Sequence, residues 1–269
     1  MAPRATARHR RGAPGLNVFS LSPTSIRDFE LCPRRFRLRA AGAGRGATSA
    51  ALSFGISVHE VLADLHRGGR GNSGPREVEE LLRQRWTRDS FADAQEADDY
   101  FAMALAALLN YLRSPHYSAL RVIGAEVFMA RTLVLADAAV RLSGRADLVG
   151  ERGDGALEVV DFKTSSSGRV PTPEWMSHDK GSFAYFVLAR LCFPEYRRVI
   201  VSQLNLLSLA RVEVSYEGEF LAENKRALAG VIRSVAAGDS EARPGEHCSW
   251  CAVRDCCDAY APRANLDTV

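Results

Sequence analysis

Asp147, and then Asp161 and Lys163 two positions apart in Glu158-Val159-Val160-Asp161-Phe162-Lys163, are the residues of this chain best suited to chemistry. Side chains alternate faces along a strand, so Asp161 and Lys163 share one face and Phe162 takes the other. Two carboxylates bind a hard divalent cation such as Mg²⁺ through oxygen. A lysine beside them can orient a water, help deprotonate it, or offset phosphate charge. Taken alone, an Asp-x-Lys pair on a strand is more often a solvated edge or a weak surface ion pair. The accompanying residues decide between these readings.

The elements that must position these groups can be read on either side. Arg141 to Val149 and Glu158 to Lys163 read as strands, and Glu151 to Gly155 as the turn-rich connection between them. Arg145, two before Asp147, should share its face. Ser22-Pro23-Thr24-Ser25 opens a helix with Ser22 as N-cap, and Pro33 is placed to break the run of Ile26, Phe29 and Phe36. Residues Ala41 to Ala50 read as a loop. Helices are expected over Ser53 to His66, Pro75 to Arg88 and Phe91 to Leu112. Val122 to Ala130 and Thr132 to Ala136 read as two strands joined by a tight turn. Ser165 to Pro173 reads as a polar loop. A helix from Phe183 to Cys192, strands from Arg198 to Leu207 and Arg211 to Tyr216, and a helix from Glu217 to Ala236 follow. Helices before and after a central set of strands imply an α/β fold, a mixed sheet flanked by helices.

Six cysteines form a second pattern. Cys248-Ser249-Trp250-Cys251 and Cys256-Cys257 lie in a Cys-rich tail, Gly245 to Tyr260. Cys192 sits among Leu188, Leu191 and Phe193 and reads as a packed hydrophobe. Adjacent Cys256 and Cys257 count as one ligand to a single centre, so the tail offers three thiolates, which do not close a four-ligand site, and Cys32 is the candidate for the missing one. Such a site would pin the tail to the N-terminal helix. Spacing alone leaves open zinc or an iron–sulfur cluster, Cys256 or Cys257, and a local zinc site that uses His247.

Bulk properties set the frame. The chain has 269 residues, 46% hydrophobic and 25% charged, with a formal net charge of +3. That is ordinary for a soluble globular protein. Residues 1–17 read as a disordered basic arm, and 18–269 as a single domain. Arg34, Arg35, Arg37 and Arg39 form a basic cluster that would suit a phosphate backbone. No stretch is apolar enough to span a membrane, and the cysteine pattern without a secretory signal fits a reducing cytoplasm.

The order Cys32, His59, Asp147, Asp161-x-Lys163, Cys248-x-x-Cys251 and Cys257 resembles the RecB-like branch of the PD-(D/E)xK nuclease superfamily, in particular its iron–sulfur members. These include AddB-type domains and CRISPR-associated exonucleases. The likeness runs from Leu21 to about Tyr260. Ser22 to Phe36 is similar to the family's opening helix, Gly55-Ile56-Ser57-Val58-His59-Glu60 to its histidine helix, and Gly144-Arg145-Ala146-Asp147 and Val160 to Thr164 to its two core strands.

The resemblance implies a restriction-endonuclease-like core and a metal-dependent DNA exonuclease or single-strand nuclease. It implies Mg²⁺ or Mn²⁺ on His59, Asp147, Asp161 and the backbone carbonyl of Val160, with Lys163 placing the attacking water. It also implies a 4Fe–4S cluster on Cys32, Cys248, Cys251 and Cys257. DNA would be the partner, with Arg34, Arg35, Arg145 and Tyr185 as contacts. A separate helicase or repair protein would have to supply any motor, since no phosphate-binding Gly-Lys-Ser/Thr loop occurs in the sequence.

One departure stands out. The family carries a glutamine and a tyrosine four apart in the helix after the lysine strand. Here Ser182 and Phe186 stand there, or Tyr185 in a shifted register, and the glutamine is absent in both. That absence motivates the competing expectation of a non-catalytic iron–sulfur or zinc DNA-binding module.

Overall fold

The computed structural model describes residues 18–44, 49–68 and 74–260, and the basic arm expected at 1–17 lies outside them. Among the described residues six strands form one mixed sheet. They are β1 (Val18–Leu21), β2 (Leu120–Val134), β3 (Ala139–Arg152), β4 (Leu157–Lys163), β5 (Val199–Asn205) and β6 (Arg211–Ser215). β3 is the organising strand. β2 runs antiparallel along its whole length on one edge. On the other edge, β1 pairs in parallel at residues 139–142 and β4 antiparallel at 148–151, so two strands share one edge end to end. β5 then adds in parallel to β4, and β6 antiparallel to β5.

Helices cover both faces. Leu142, Val159 and Val201 pack with residues of α1 (Pro23–Leu31), α8 (Lys180–Cys192) and α9 (Gly218–Ala236). Leu148, Val160, Phe162 and Leu204 pack against α3 (Ala50–Arg67), α4 (Pro75–Arg85) and α5 (Ala94–Arg113). The strands between two helical layers are accordingly buried, β5 at every position. The α/β fold with helices flanking a mixed sheet, read from the sequence, is the one observed.

Pro33 does break the first helix. Its ring disfavours helical geometry in the residue before it, and Cys32 is extended (φ −163°, ψ 113°) between α1 and α2 (Pro33–Ala40). Three short 3₁₀ turns make up the Cys-rich tail, at Glu246–Trp250, Arg254–Cys256 and Asp258–Tyr260.

One expectation is corrected. Residues 122–136 do not form two strands around a turn at Arg131. Arg131 and Thr132 carry no turn chemistry and pair with Leu142 and Arg141 inside β2, while the chain reverses at Leu135, whose N–H donates to Ala138 O at 2.8 Å. The loop after Lys163 ends as expected at Pro173, where α7 (Pro173–His178) begins, capped by Thr172, which accepts from Trp175 N at 3.2 Å. α6 (Pro115–Ser118) is a single turn before β2.

Candidate active site

The site lies where β3 and β4 part. Their last backbone rung joins Leu148 to Val160. One position on, Asp147 and Asp161 face each other without a rung. Phe162 N–H instead donates to Asp147 Oδ2 at 2.7 Å. A side chain takes over where the ladder stops, satisfying a backbone donor that would otherwise be orphaned. Val160, whose carbonyl was singled out above, sits on that final rung.

α3 brings His59 to the opening. Ser49 caps this helix by accepting from Leu52 N at 3.3 Å. The helix approaches the end of β4 closely at Gly55, where a Cβ would stand 3.1 Å from Thr164 Oγ1. One turn further, His59 Nδ1 lies 3.2 Å from Asp147 Oδ1. Phe162, between Asp161 and Lys163, goes the other way into the core, where its ring stacks on His66 at 6.3 Å.

Glu126 completes the cluster and was not expected from the sequence. Its neighbours Ala125 and Val127 pair with Leu148 and Ala146, so it stands across β3 from Asp147. Ligand atoms of His59, Glu126 and Asp147 all lie within 4.8 Å of one another. Glu126 has a positive φ of 54°, rare for a residue with a side chain, and strained backbone of this kind concentrates at functional sites. The only sequence signal was an acid inside an apolar run; the register that points it at Asp147 is a property of the sheet.

The electrostatics follow from crowding acids in a half-buried gap. Burial pushes the Asp161 carboxyl above its usual range, and Asp147 adds to this, while Lys163 opposes it. Lys163 Nζ stands 2.7 Å from Asp161 Oδ2 and offsets its charge. Burial pulls His59 down, but Asp147, Asp161 and Glu126 outweigh it and hold the imidazole above its ordinary value. Burial raises Glu126, and the nearby Asp147 raises it further. A set of oxygens and one imidazole nitrogen, gathered within 4.8 Å at His59, Glu126 and Asp147, matches the donors that Mg²⁺ or Mn²⁺ takes.

These groups open on a cleft of about 710 Å³ lined by His59, Glu126, Arg145, Asp161, Lys163 and Thr164. Arg145 is on the wall, 3.7 Å from Glu126 Oε2. Tyr185, on α8, donates its hydroxyl to Arg145 O at 2.9 Å. Burial raises the Tyr185 phenol, and the fields of Asp161 and Asp147 raise it further, which places it beside the acids.

Arg34 and Arg35 are elsewhere. Arg34 bonds Ser240 O at 2.9 Å and Asp258 Oδ2 at 3.0 Å. Arg35 bonds Asp28 Oδ1 at 2.9 Å and lies over the Trp250 ring at 5.4 Å. Each also reaches the Cys-rich tail, Arg34 through Asp258 and Arg35 through Trp250. Arg37 donates to Asp239 O and Val235 O at the end of α9. Cys32, Cys248, Cys251 and Cys257 line one small cavity beside Arg35. Cys256 is exposed and turns its Sγ to Val253 O at 3.3 Å, and Cys192 packs against the core of α8.

Residues 20–258 match the family model of the PD-(D/E)XK nuclease superfamily, and the chain belongs to that superfamily. Two solved structures are similar to it at low identity. A protein designated SSO0001 is 14% identical, with a TM-score of 0.44, 90% of this chain and 87% of that chain being covered. A protein from Eubacterium rectale described as a candidate exonuclease is 13% identical, with a TM-score of 0.47 and coverage of 87% and 86%. No curated protein matches the chain. No helix among the described residues is long and apolar enough to cross a membrane.

Proposed function

We propose that the protein is a metal-dependent DNA nuclease of the RecB-like branch, an exonuclease or single-strand nuclease acting in the cytoplasm in repair, recombination or defence. The observation that carries this reading is the meeting of Asp147, Asp161 and Lys163 at the point where β3 and β4 part, with Lys163 Nζ 2.7 Å from Asp161 Oδ2 and ligand atoms of His59, Glu126 and Asp147 within 4.8 Å of one another.

His59, Glu126, Asp147, Asp161 and the Val160 carbonyl would hold Mg²⁺ or Mn²⁺. Bound there, the ion supplies Lewis-acid stabilisation of charge on the phosphate. The chain's own groups do the rest. Lys163 orients the attacking water and offsets charge as the phosphorus is approached. Asp161 fixes the Lys163 ammonium. Asp147 locks His59 on one side and the β4 backbone on the other. Arg145 and Tyr185 form the wall along which the DNA backbone would lie.

Cys32, Cys248, Cys251 and Cys257 would hold a 4Fe–4S cluster that staples the tail to α1 and α2. In support, the four cysteines line one small cavity where the tail meets Cys32, between α1 and α2.

The test is cleavage of end-labelled single- and double-stranded DNA in Mn²⁺ by anaerobically purified protein. Wild type should degrade DNA, and Lys163→Ala should lose about 10²-fold or more. Equal activity in the two proteins would overturn the reading.

A further inference from the structure

Arg27 reaches from α1 across to the first turn of α8. A Cβ at Gly181 would stand 2.4 Å from its Nε and 2.7 Å from its Cζ, so the guanidinium fills the space that a side chain at 181 would take. Gly181 is one helical turn, about 5.4 Å, before Tyr185, the aromatic beside the acids. Position 181 therefore offers no side chain four residues ahead of Tyr185, Ser182 turns its Oγ back to Asp179 at 2.7 Å, and α1 supplies the polar group there.

The guanidinium is held on one edge only. Its Nε lies 3.0 and 2.9 Å from the two oxygens of Asp179, and its Nη2 lies 2.5 Å from Asp179 Oδ2 and 3.3 Å from Ser182 Oγ. Nη1 has no partner among the described residues, and it is not among the buried polar atoms left without one. The side chain keeps 27% of its surface exposed while that of Asp179 keeps 3%. Asp179 also accepts from Ser182 N at 2.8 Å, Ser182 Oγ at 2.7 Å and Gly181 N at 3.3 Å. A carboxylate offers about four acceptor positions. Asp179 is thus satisfied at the α8 N-terminus by several donors, and it fixes Arg27 without using its whole fork. The field of Arg27 reaches Asp161 and Tyr185.

We propose that Arg27 is a substrate-binding residue, which presents its free Nη1 edge to a phosphodiester next to the one cleaved. This rests on the nuclease reading of the same site. A preorganised, always-charged fork suits a phosphate better than a flexible ammonium would. A purely structural staple between α1 and α8 is the competing account.

Removing Arg27 alone leaves Asp179 buried and uncompensated, and such variants can fail to fold. The double variant Arg27→Met with Asp179→Asn avoids that, because asparagine still caps the helix. Binding is read by fluorescence anisotropy of a labelled single-stranded oligonucleotide, with the full chain on the Lys163→Ala background so that the probe is not consumed. With Asp179→Asn alone, affinity should stay within about twofold of the parent. In the double variant it should fall about 10-fold, and the slope of log affinity against log salt should flatten by about 0.7, one phosphate contact on a single strand. A double variant that melts lower but keeps the parent's affinity and salt slope overturns the inference while the nuclease reading stands. A parent that binds no oligonucleotide overturns both.

Discussion

Asp147 receives the backbone N–H of Phe162 through one oxygen and faces His59 with the other. A single carboxylate thus ends the β3–β4 ladder and begins the polar cluster. Asp147→Asn keeps an oxygen for Phe162 N–H but removes the charge. Its melting temperature should stay within a few degrees of wild type while cleavage falls about 10²-fold or more. Asp147→Ala should lose the same activity and, in addition, about 1–3 kcal/mol of stability, because a buried donor is orphaned. Denaturant melts of the two variants separate these effects.

Glu126 should tune the metal requirement. Glu126→Gln removes one anionic donor from the His59, Glu126 and Asp147 group. It should raise the Mn²⁺ concentration for half-maximal cleavage about 10-fold with a smaller change at saturating metal. An unchanged metal titration would count against Glu126 as a ligand.

His66 should make stability depend on pH. Burial lowers its pKa to about 4, and its Nε2 lies 3.0 Å from the Tyr111 hydroxyl. The unfolded chain takes up this proton near pH 6.5 and the native protein only near 4. The neutral histidine therefore contributes fully above about pH 6.5, and its contribution is lost as pH falls toward 4, to a limit of about 3 kcal/mol. Relative to wild type, His66→Gln should flatten the fall in melting temperature across that window. Parallel curves for the two proteins would exclude His66 as the source.

The tail should depend on its thiols. Cys32→Ala is expected to remove any brown colour from an anaerobic preparation and to cost on the order of 2 kcal/mol, about 4–8 °C in a chain of this size. Cys256→Ala, whose Sγ turns to Val253 O, should change neither. A colourless wild type that carries protein-bound zinc would replace the cluster with the simpler ion.

Much of this arrangement was legible because it is local. The alternation that sends Asp161 and Lys163 one way and Phe162 the other is a property of one strand. Pro33 marks the break at Cys32 for the same reason. What was hidden depends on how strands meet. Glu126 acquires meaning only from the register of β2 on β3, which its own residues do not encode. β2 itself was misdivided because Arg131 and Thr132 interrupt its apolar run, though they carry no turn chemistry and pair inside the strand. Arg34 and Arg35 stand out in the sequence as a charge cluster, while their partners in the fold, Ser240, Asp258 and Asp28, do not. The contact of Arg27 with Gly181 spans most of the chain, and only the fold brings it about.

The unpaired stretch at the end of β3 and β4 has one more consequence. Sheets gain by zipping, and a seam left open is ordinarily a weak spot. Here the gap is the doorway, and the acid that props it ajar is one of those inside. A variant that let the seam run on by a single rung, with every charged group intact, would shut the enzyme from within.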